Sequence, residues 1–490
     1  MTDVLIPPPP VERGDRVHPD LDRRRVLVVL LVAGLATDAV VRSGFPTVAG
    51  VAALVVVTIG LLVTSPGTNR TAWLLGGGAV AVAAWLPLRT SPWLVPLDVL
   101  VGAGLVAVAA TYVRGGRLRD LTFVGGVRRL LAAPARLVQG PPVLGRMLTA
   151  GWRRRPDVPA GRGPEVARGL VLAVPIVGAL ALLLASADTV FASFFQLPLS
   201  PTSSAGHLAL IAAGAVLVLP LLLEAVGPVR TEAPPTSRLG RIETTVLLSG
   251  IVLLYACFTA AQVVAALGGA DHVLETAGLS YAEYARRGFF QLLAVAGLTL
   301  LLLLAVRGTV RPVDRPARRG LLALAEATVV LTLVIVGVAV RRLALYDDVF
   351  GLTMLRLSST VAAWWIGGVF VLVGLAFAGV RRSHDWLAGA IATLAVLTLV
   401  GYNAVDPEAV VVRHNLARDA TEVPVDISYL QHLSDDAVPA LAAALPDLDR
   451  QTAAATVEAI CRSGDATEPG LLDWNRSTSR AAETRARLAC

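Results

Sequence analysis

The strongest constraint on this chain is a succession of apolar runs, most of them long enough to span a bilayer, separated by short polar or basic connectors. Eleven can be drawn, at roughly 26–41, 45–63, 71–88, 92–113, 169–187, 207–226, 244–267, 288–306, 320–340, 358–380 and 385–402. A helix needs about 20 mostly apolar residues to cross the hydrocarbon core, and inside it every backbone polar group must be satisfied within the segment. The expected fold class is therefore all-α: a polytopic transmembrane helical bundle of about 11 spans, followed by a small helical extracytoplasmic C-terminal domain. Composition agrees. Hydrophobic residues make up 55% of the chain and charged residues only 16%, against roughly 25% charged in soluble domains. A soluble enzyme, a disordered chain and a fibrous chain are excluded.

All 43 basic residues are arginine. Chemistry that needs a lysine amine is thereby absent: a P-loop, a Schiff base, an S-x-x-K pair. The arginines also set orientation, because they resist translocation near span ends. With the N-terminus inside, the inner segments hold 28 arginines and the outer connections 7. The outer seven are Arg42, Arg89, Arg286, Arg287, Arg341, Arg342 and Arg356. The N-terminus is expected in the cytoplasm, and an odd span count puts the C-terminus outside. The first run follows Arg23–Arg25 and reads as a retained signal anchor. Spread between apolar runs without aromatic interleaving, the net charge of +7 is topological rather than a nucleic-acid surface.

Three segments are not membrane core. Residues 1–25 read as a disordered cytoplasmic lead, with Pro7–Pro10. The basic cytoplasmic loop 114–168, between four spans (26–113) and seven more (169–402), carries an amphipathic pattern: Val127, Leu130, Leu131, Leu137 and Val138 on one face, Arg128, Arg129 and Arg136 on others. It suits the membrane surface, and is a candidate surface for anionic lipid or a protein partner. The tail, 403–490, offers Asp406-Pro407-Glu408 as a helix start running through Arg418, then Asp426 and Ser434 as further caps, and helical stretches at about 448–462 and 471–488. Cys461 and Cys490 can pair if the tail lies outside.

Motifs for chemistry are scarce. The six histidines lack metal-ligand spacing, no G-x-S-x-G occurs, and no cofactor is implied. Acids in spans are informative because they are costly in lipid. Glu326 lies deepest, and with Gln262 and Gln291 forms a candidate intramembrane polar set. Asp38, Asp98 and Asp188 fall near outer ends.

Three strings are unlike plain connectors: Y-A-E-Y-A-R-R-G-F-F-Q-L at 281–292; Tyr346-Asp347-Asp348 through Gly351-Leu352-Thr353 to Arg356; and the tail with Asn403, Asp406-Pro407, Asn415, Arg418 and Asp426 to Leu441. In these segments the chain resembles the DUF4173 family, within the wider DUF4153-like group of bacterial membrane proteins of unknown function. The resemblance implies an actinobacterial-type integral membrane protein and supplies no catalytic residues.

The expected site is an outer-face polar cluster of Asp38, Asp188, Tyr281, Tyr284, Arg286, Tyr346, Asp347, Asp348, Arg356, Asn415 and Arg418, roofed by the tail. Salt bridges that merely seat the tail would give the same sequence. The leading functional reading is a structural, sensory or interaction protein of the cell envelope with no catalysis of its own. A transporter or channel is the alternative, and an enzyme on lipid-linked sugars using Asp38 the lesser one.

Overall fold

The computed structural model describes residues 23–43, 45–63, 69–113, 204–226, 241–267, 289–309, 315–379, 386–417, 426–462 and 470–490. Ten of the eleven apolar runs coincide with helices: α1 Arg23–Ser43, α2 Val48–Val63, α3 Arg70–Ala83, α4 Val95–Tyr112, α5 Ser204–Val226, α6 Arg241–Leu267, α7 Phe289–Thr309, α8 Arg315–Phe350, α9 Met354–Phe377 and α10 Leu387–Val405. The run 169–187, the loop 114–168 and the first 22 residues lie outside the described residues. No strand occurs among the described residues. Among the described residues seven helices, α1, α4 and α6 to α10, are long and apolar enough to cross a membrane.

Three helices depart from the expected boundaries. α2 has only 16 residues and α3 only 14. The Asn69 side chain accepts from Thr71 N and starts α3, but the chain breaks into tight turns at Ala84–Leu88, where Pro87 has no N–H to continue a helix. α8 is longer than its apolar run. Its 36 residues extend about 54 Å at 1.5 Å each, well past the roughly 30 Å hydrocarbon core. It continues through Arg341 and Arg342 because nothing breaks it before Gly351, whose φ of 78° closes the turn. Most of the expected connector at 346–356 is therefore helix. Tyr346, Asp347 and Asp348 sit in the last turns of α8, Gly351–Thr353 alone connect, and Arg356 lies in the first turn of α9, capped by Thr353.

Two apolar cores build the bundle. One joins α1 to α5, with Leu30, Leu61, Leu75, Leu105 and Leu219 buried together. The α1–α5 crossing is close: a Cβ on Gly34 would collide with the Ile211 carbonyl. The other joins α6 to α9, centred on Phe370, Leu303 and Val329. α10 bridges them, placing Ala392 and Val396 against the first core and Leu387 in the second.

Five helices follow: α11 Pro407–Leu416, α12 Ile427–Leu430, α13 Val438–Ala444 with a 3-10 turn at Leu445–Asp447, α14 Arg450–Arg462 and α15 Arg476–Arg487. Asp406, Asp426 and Asn475 cap α11, α12 and α15 through their side chains. Ser434, expected to cap a helix, stands one turn too early: its Oγ accepts from Asp436 N at 3.3 Å, whereas α13 starts at Val438 after Ala437, which provides no side-chain cap. The last helix begins at Arg476 rather than 471. Val411, Val412, Leu430, Val438, Leu441 and Ile460 form a third core. Leu352 and Met354, from the α8–α9 turn, insert into it. Cys461 and Cys490 are joined by a disulfide.

Candidate functional site at the bundle end

The ends of α1, α3, α8 and α10 all meet the tail. Val48 N donates to the Trp474 carbonyl, Arg476 N to the Pro87 carbonyl, and Leu352 pairs with Asn415. These contacts define one end of the bundle, and polar groups are concentrated there.

The centre is Arg89, in the α3–α4 connection. Its guanidinium donates twice to the Asn403 carbonyl, at 3.0 and 2.7 Å, and is ion-paired with Asp406. Asp406 is the sole residue between α10 and α11. It adopts a left-handed φ of 60°, ends α10, and caps α11 by accepting from Ala409 N. Aspartate tolerates that conformation better than most residues. The Asn403 amide donates to Asp98 Oδ1 at 2.9 Å and to the Leu399 carbonyl. Asp98 Oδ2 has no hydrogen-bond partner among the described residues, although Asp98 is buried.

A second layer is built on Asp436, which is 3% exposed. It accepts from Thr90 N, Ser91 N and the Ser477 hydroxyl. Burial pushes its carboxyl up, while Ser477 and Arg89 pull it down. Thr90 Oγ1 donates to Ser434 Oγ, and Ser434 gives both its N–H and its hydroxyl to Glu408 Oε2, at 2.7 and 2.8 Å. Glu408 is fully buried. Burial first, then the charge of Asp436, raise its carboxyl to about 7 against the pull of its hydrogen bonds. Asn475 closes the seam by donating to the carbonyls of Pro46, Leu86 and Arg89.

The expected outer-face residues are placed as follows. Arg356 stacks on Tyr346, 4.0 Å from the ring centroid, lies 3.8 Å from Asp347, and donates to the Gly351 carbonyl. The Asn415 side chain brackets Leu352, accepting from its N–H and donating to its carbonyl, both at 2.8 Å. Tyr429 Oη accepts from Met354 N. Tyr346, Asp347, Arg356 and Asn415 thus hold the α8–α9 turn and seat it in the tail. Asp38 pairs instead with Arg42 and His207, both at 2.8 Å, at the α1–α5 crossing. Asp188, Tyr281, Tyr284, Arg286 and Arg418 lie outside the described residues. The intramembrane set is not brought together. Gln262 accepts from Arg342 at 3.3 Å, Gln291 is exposed on α7, and Glu326 faces Gly374 of α9, about 24 Å along α8 from Arg342.

Arg89, Glu408, Asp436 and Asn475 were missed as site residues. The first was visible only as one of the few arginines expected outside. Its partners follow more than three hundred positions later, beyond the reach of any spacing rule.

No curated protein and no solved structure matches the chain. A family model described as a domain of unknown function, DUF4153, matches residues 72–444. That is the wider group rather than the related DUF4173 family suggested by the three strings. With most of its 490 residues matched, the chain belongs to the DUF4153 family.

Proposed function

We propose that this is a multi-pass cell-membrane protein of the bacterial envelope that serves a structural, sensory or interaction role, with its tail helices held as a rigid cap on the extracytoplasmic end of the bundle. The observation that carries the reading is the seam itself. Arg89, Asn403, Asp436 and Asn475 tie segments that are hundreds of residues apart into one polar junction. The residues expected to line an open site, Arg356, Asp347 and Asn415, are spent on seating the tail. Such a cap presents a fixed surface to the outside rather than a reacting centre.

Eleven spans with the N-terminus inside fit the end-to-end geometry. α4 ends beside Asn69, at the end of the bundle away from the tail, whereas α5 starts beside Asp38, near the tail. Between these two helices the sequence offers one apolar run, 169–187. The arginines expected outside are also consistent with this orientation: Arg42, Arg89 and Arg356 each pair with an aspartate. The Cys461–Cys490 bond suits an oxidising compartment. The strings at 281–292 and 346–356 support a place near the DUF4173 subgroup.

Two measurements test the reading together. A C-terminal alkaline-phosphatase fusion is expected to be active and a fluorescent-protein fusion dark; the reverse puts the tail inside. Arg356→Ala is expected to lower the folded yield and expose the tail to protease. A variant that folds normally but loses its cellular phenotype would make Arg356 a ligand-binding residue instead.

A further inference from the structure

Beside the seam lies a cleft of about 660 Å³ between the α3–α4 connection and the tail helices α11, α13 and α15. Four arginines line it: Arg89, Arg413, Arg476 and Arg480. Arg89 is committed to Asp406 and the Asn403 carbonyl. The guanidinium groups of Arg413, Arg476 and Arg480 have no hydrogen-bond or ion-pair partner among the described residues, and all three are exposed. Arg476 and Arg480 are four positions apart on α15, so they share one helix face about one turn apart. Arg413 reaches the cleft from the last turn of α11.

The acids in the lining do not balance them. Asp406 is held by Arg89, and Asp436 is buried under three donors. Among the described residues of the lining only Asp447 is left, against these three arginines. Three like charges around one cavity repel each other and gain from a shared counter-charge. Guanidinium groups match phosphate oxygens in paired, charge-assisted hydrogen bonds. The remaining wall is apolar, with Trp85, Leu88 and Leu416 beside the methyl groups of Ala440 and Ala443. Trp85 and Leu88 follow the end of α3, the level at which tryptophan sits at a membrane boundary.

We infer that this cleft is a binding site for a phosphate group, presented by a lipid headgroup or as free phosphate, with Arg413, Arg476 and Arg480 as its ligands. The site goes beyond the structural role proposed above and does not depend on which side of the membrane the tail occupies.

The test uses the full chain purified in detergent. One arm titrates inorganic phosphate and follows the unfolding temperature. The other adds phosphatidylglycerol or phosphatidylcholine and counts retained lipids by native mass spectrometry. Saturable stabilisation by phosphate assigns a free anion, and selective retention of phosphatidylglycerol without it assigns a headgroup. In either case Arg413→Gln or Arg480→Gln is expected to weaken binding about tenfold, and the triple change with Arg476→Gln to abolish it. Arg487→Gln, on α15 but outside the lining, is expected to bind as the unaltered chain does. The inference is overturned if neither probe binds the unaltered chain, or if the two single variants bind as well as it does. The single variants alter exposed side chains, so they keep the test decisive even where the triple variant fails to fold.

Discussion

The flank formed by α6 and α7 and the junction with the tail are held by different physics. On α6, Ile242, Val246, Leu253, Leu254 and Val264 are exposed, each by more than 60%. That face suits a bilayer, where lipid tails are as apolar as leucine and give no hydrophobic push between helices. At the junction the reverse holds. Asp98, Asn403, Glu408, Asp436 and Asn475 are all buried and tied by directional bonds. A flank held by non-directional packing tolerates substitution and sliding. A junction of directional bonds has one geometry, and losing one partner strands the others. The difference teaches that the defined surfaces of this molecule, and hence its candidate site, lie at the end of the bundle rather than along it.

Arg89→Ala is the largest break in that comparison. It removes the guanidinium from Asp406 Oδ2 and from the Asn403 carbonyl, leaving them only the backbone N–H groups of Ala409 and Asp406. Arg89 and Asp406 are 12% and 26% exposed, so the loss is expected at the low end of the range of about 3–5 kcal/mol that breaking a fully buried pair costs. Thermal unfolding in detergent is expected to drop accordingly, and the tail to become protease-sensitive before the bundle does. Equal sensitivity throughout would mean that tail and bundle unfold as one unit, and that the seam is not the weak point.

Glu408 makes the junction pH-dependent. Its ordinary value is 4.5 and burial raises it to about 7. Between those values the folded chain keeps a proton that the unfolded chain has released. The stabilisation is therefore complete below about pH 4.5 and is lost as the pH rises through about 7. At about 1.4 kcal/mol for each tenfold change, the loss across this window is about 3 kcal/mol. Asp436, also raised by burial, adds to the same slope. Glu408→Gln is expected to flatten the profile of unfolding temperature between pH 5 and 8 and to be the more stable chain at pH 8. An unchanged slope would remove Glu408 from the account.

Asp406 separates charge from backbone. Asp406→Asn keeps a cap for α11 and a residue that tolerates φ of 60°, but removes the ion pair, for about 1–2 kcal/mol. Asp406→Ala removes the cap as well, and is expected to cost about 1 kcal/mol more. If the two variants are equally destabilised, the junction depends on the charge alone.

How much of this was legible follows from distance along the chain. Apolar runs of about 20 residues and local caps such as Asp406-Pro407 or Asp426 act within a few positions; ten of the runs coincide with helices, seven of them long enough to cross a membrane, and both caps form. α8 outran its apolar run because two arginines do not break a helix, whereas Gly351 does. Ser434 Oγ accepts from Asp436 N in the turn before α13, and Ser434 also gives its N–H and hydroxyl to the buried Glu408, a partner 26 positions away that no local pattern signals. Arg356, Asp347 and Asn415 are expected from the sequence as an outer-face polar site; the structure puts Arg356 beside Asp347 and Asn415 on Leu352, and sequence alone does not tell a lining from a seat. Arg89 and Asn475 find their partners through the packing of whole helices, which leaves no local signature.

The smallest expected effects sharpen the other half of the comparison. Leu254 points outward from α6, being 64% exposed, while Leu248 on the same helix is 1% exposed and packs into the second core. In water, burying a leucine combines transfer from solvent with close packing. In a bilayer the transfer term nearly vanishes, because the unpacked leucine would face lipid. Leu248→Ala is therefore expected to cost about 1–2 kcal/mol, below the 2–5 kcal/mol usual for a soluble core, and Leu254→Ala less than about 0.5 kcal/mol. Unfolding in lipid nanodiscs measures both. A loss at Leu254 as large as that at Leu248 would mean that the exposed face of α6 meets another protein surface rather than lipid, and the flank would then join the bundle end as a place to look for partners.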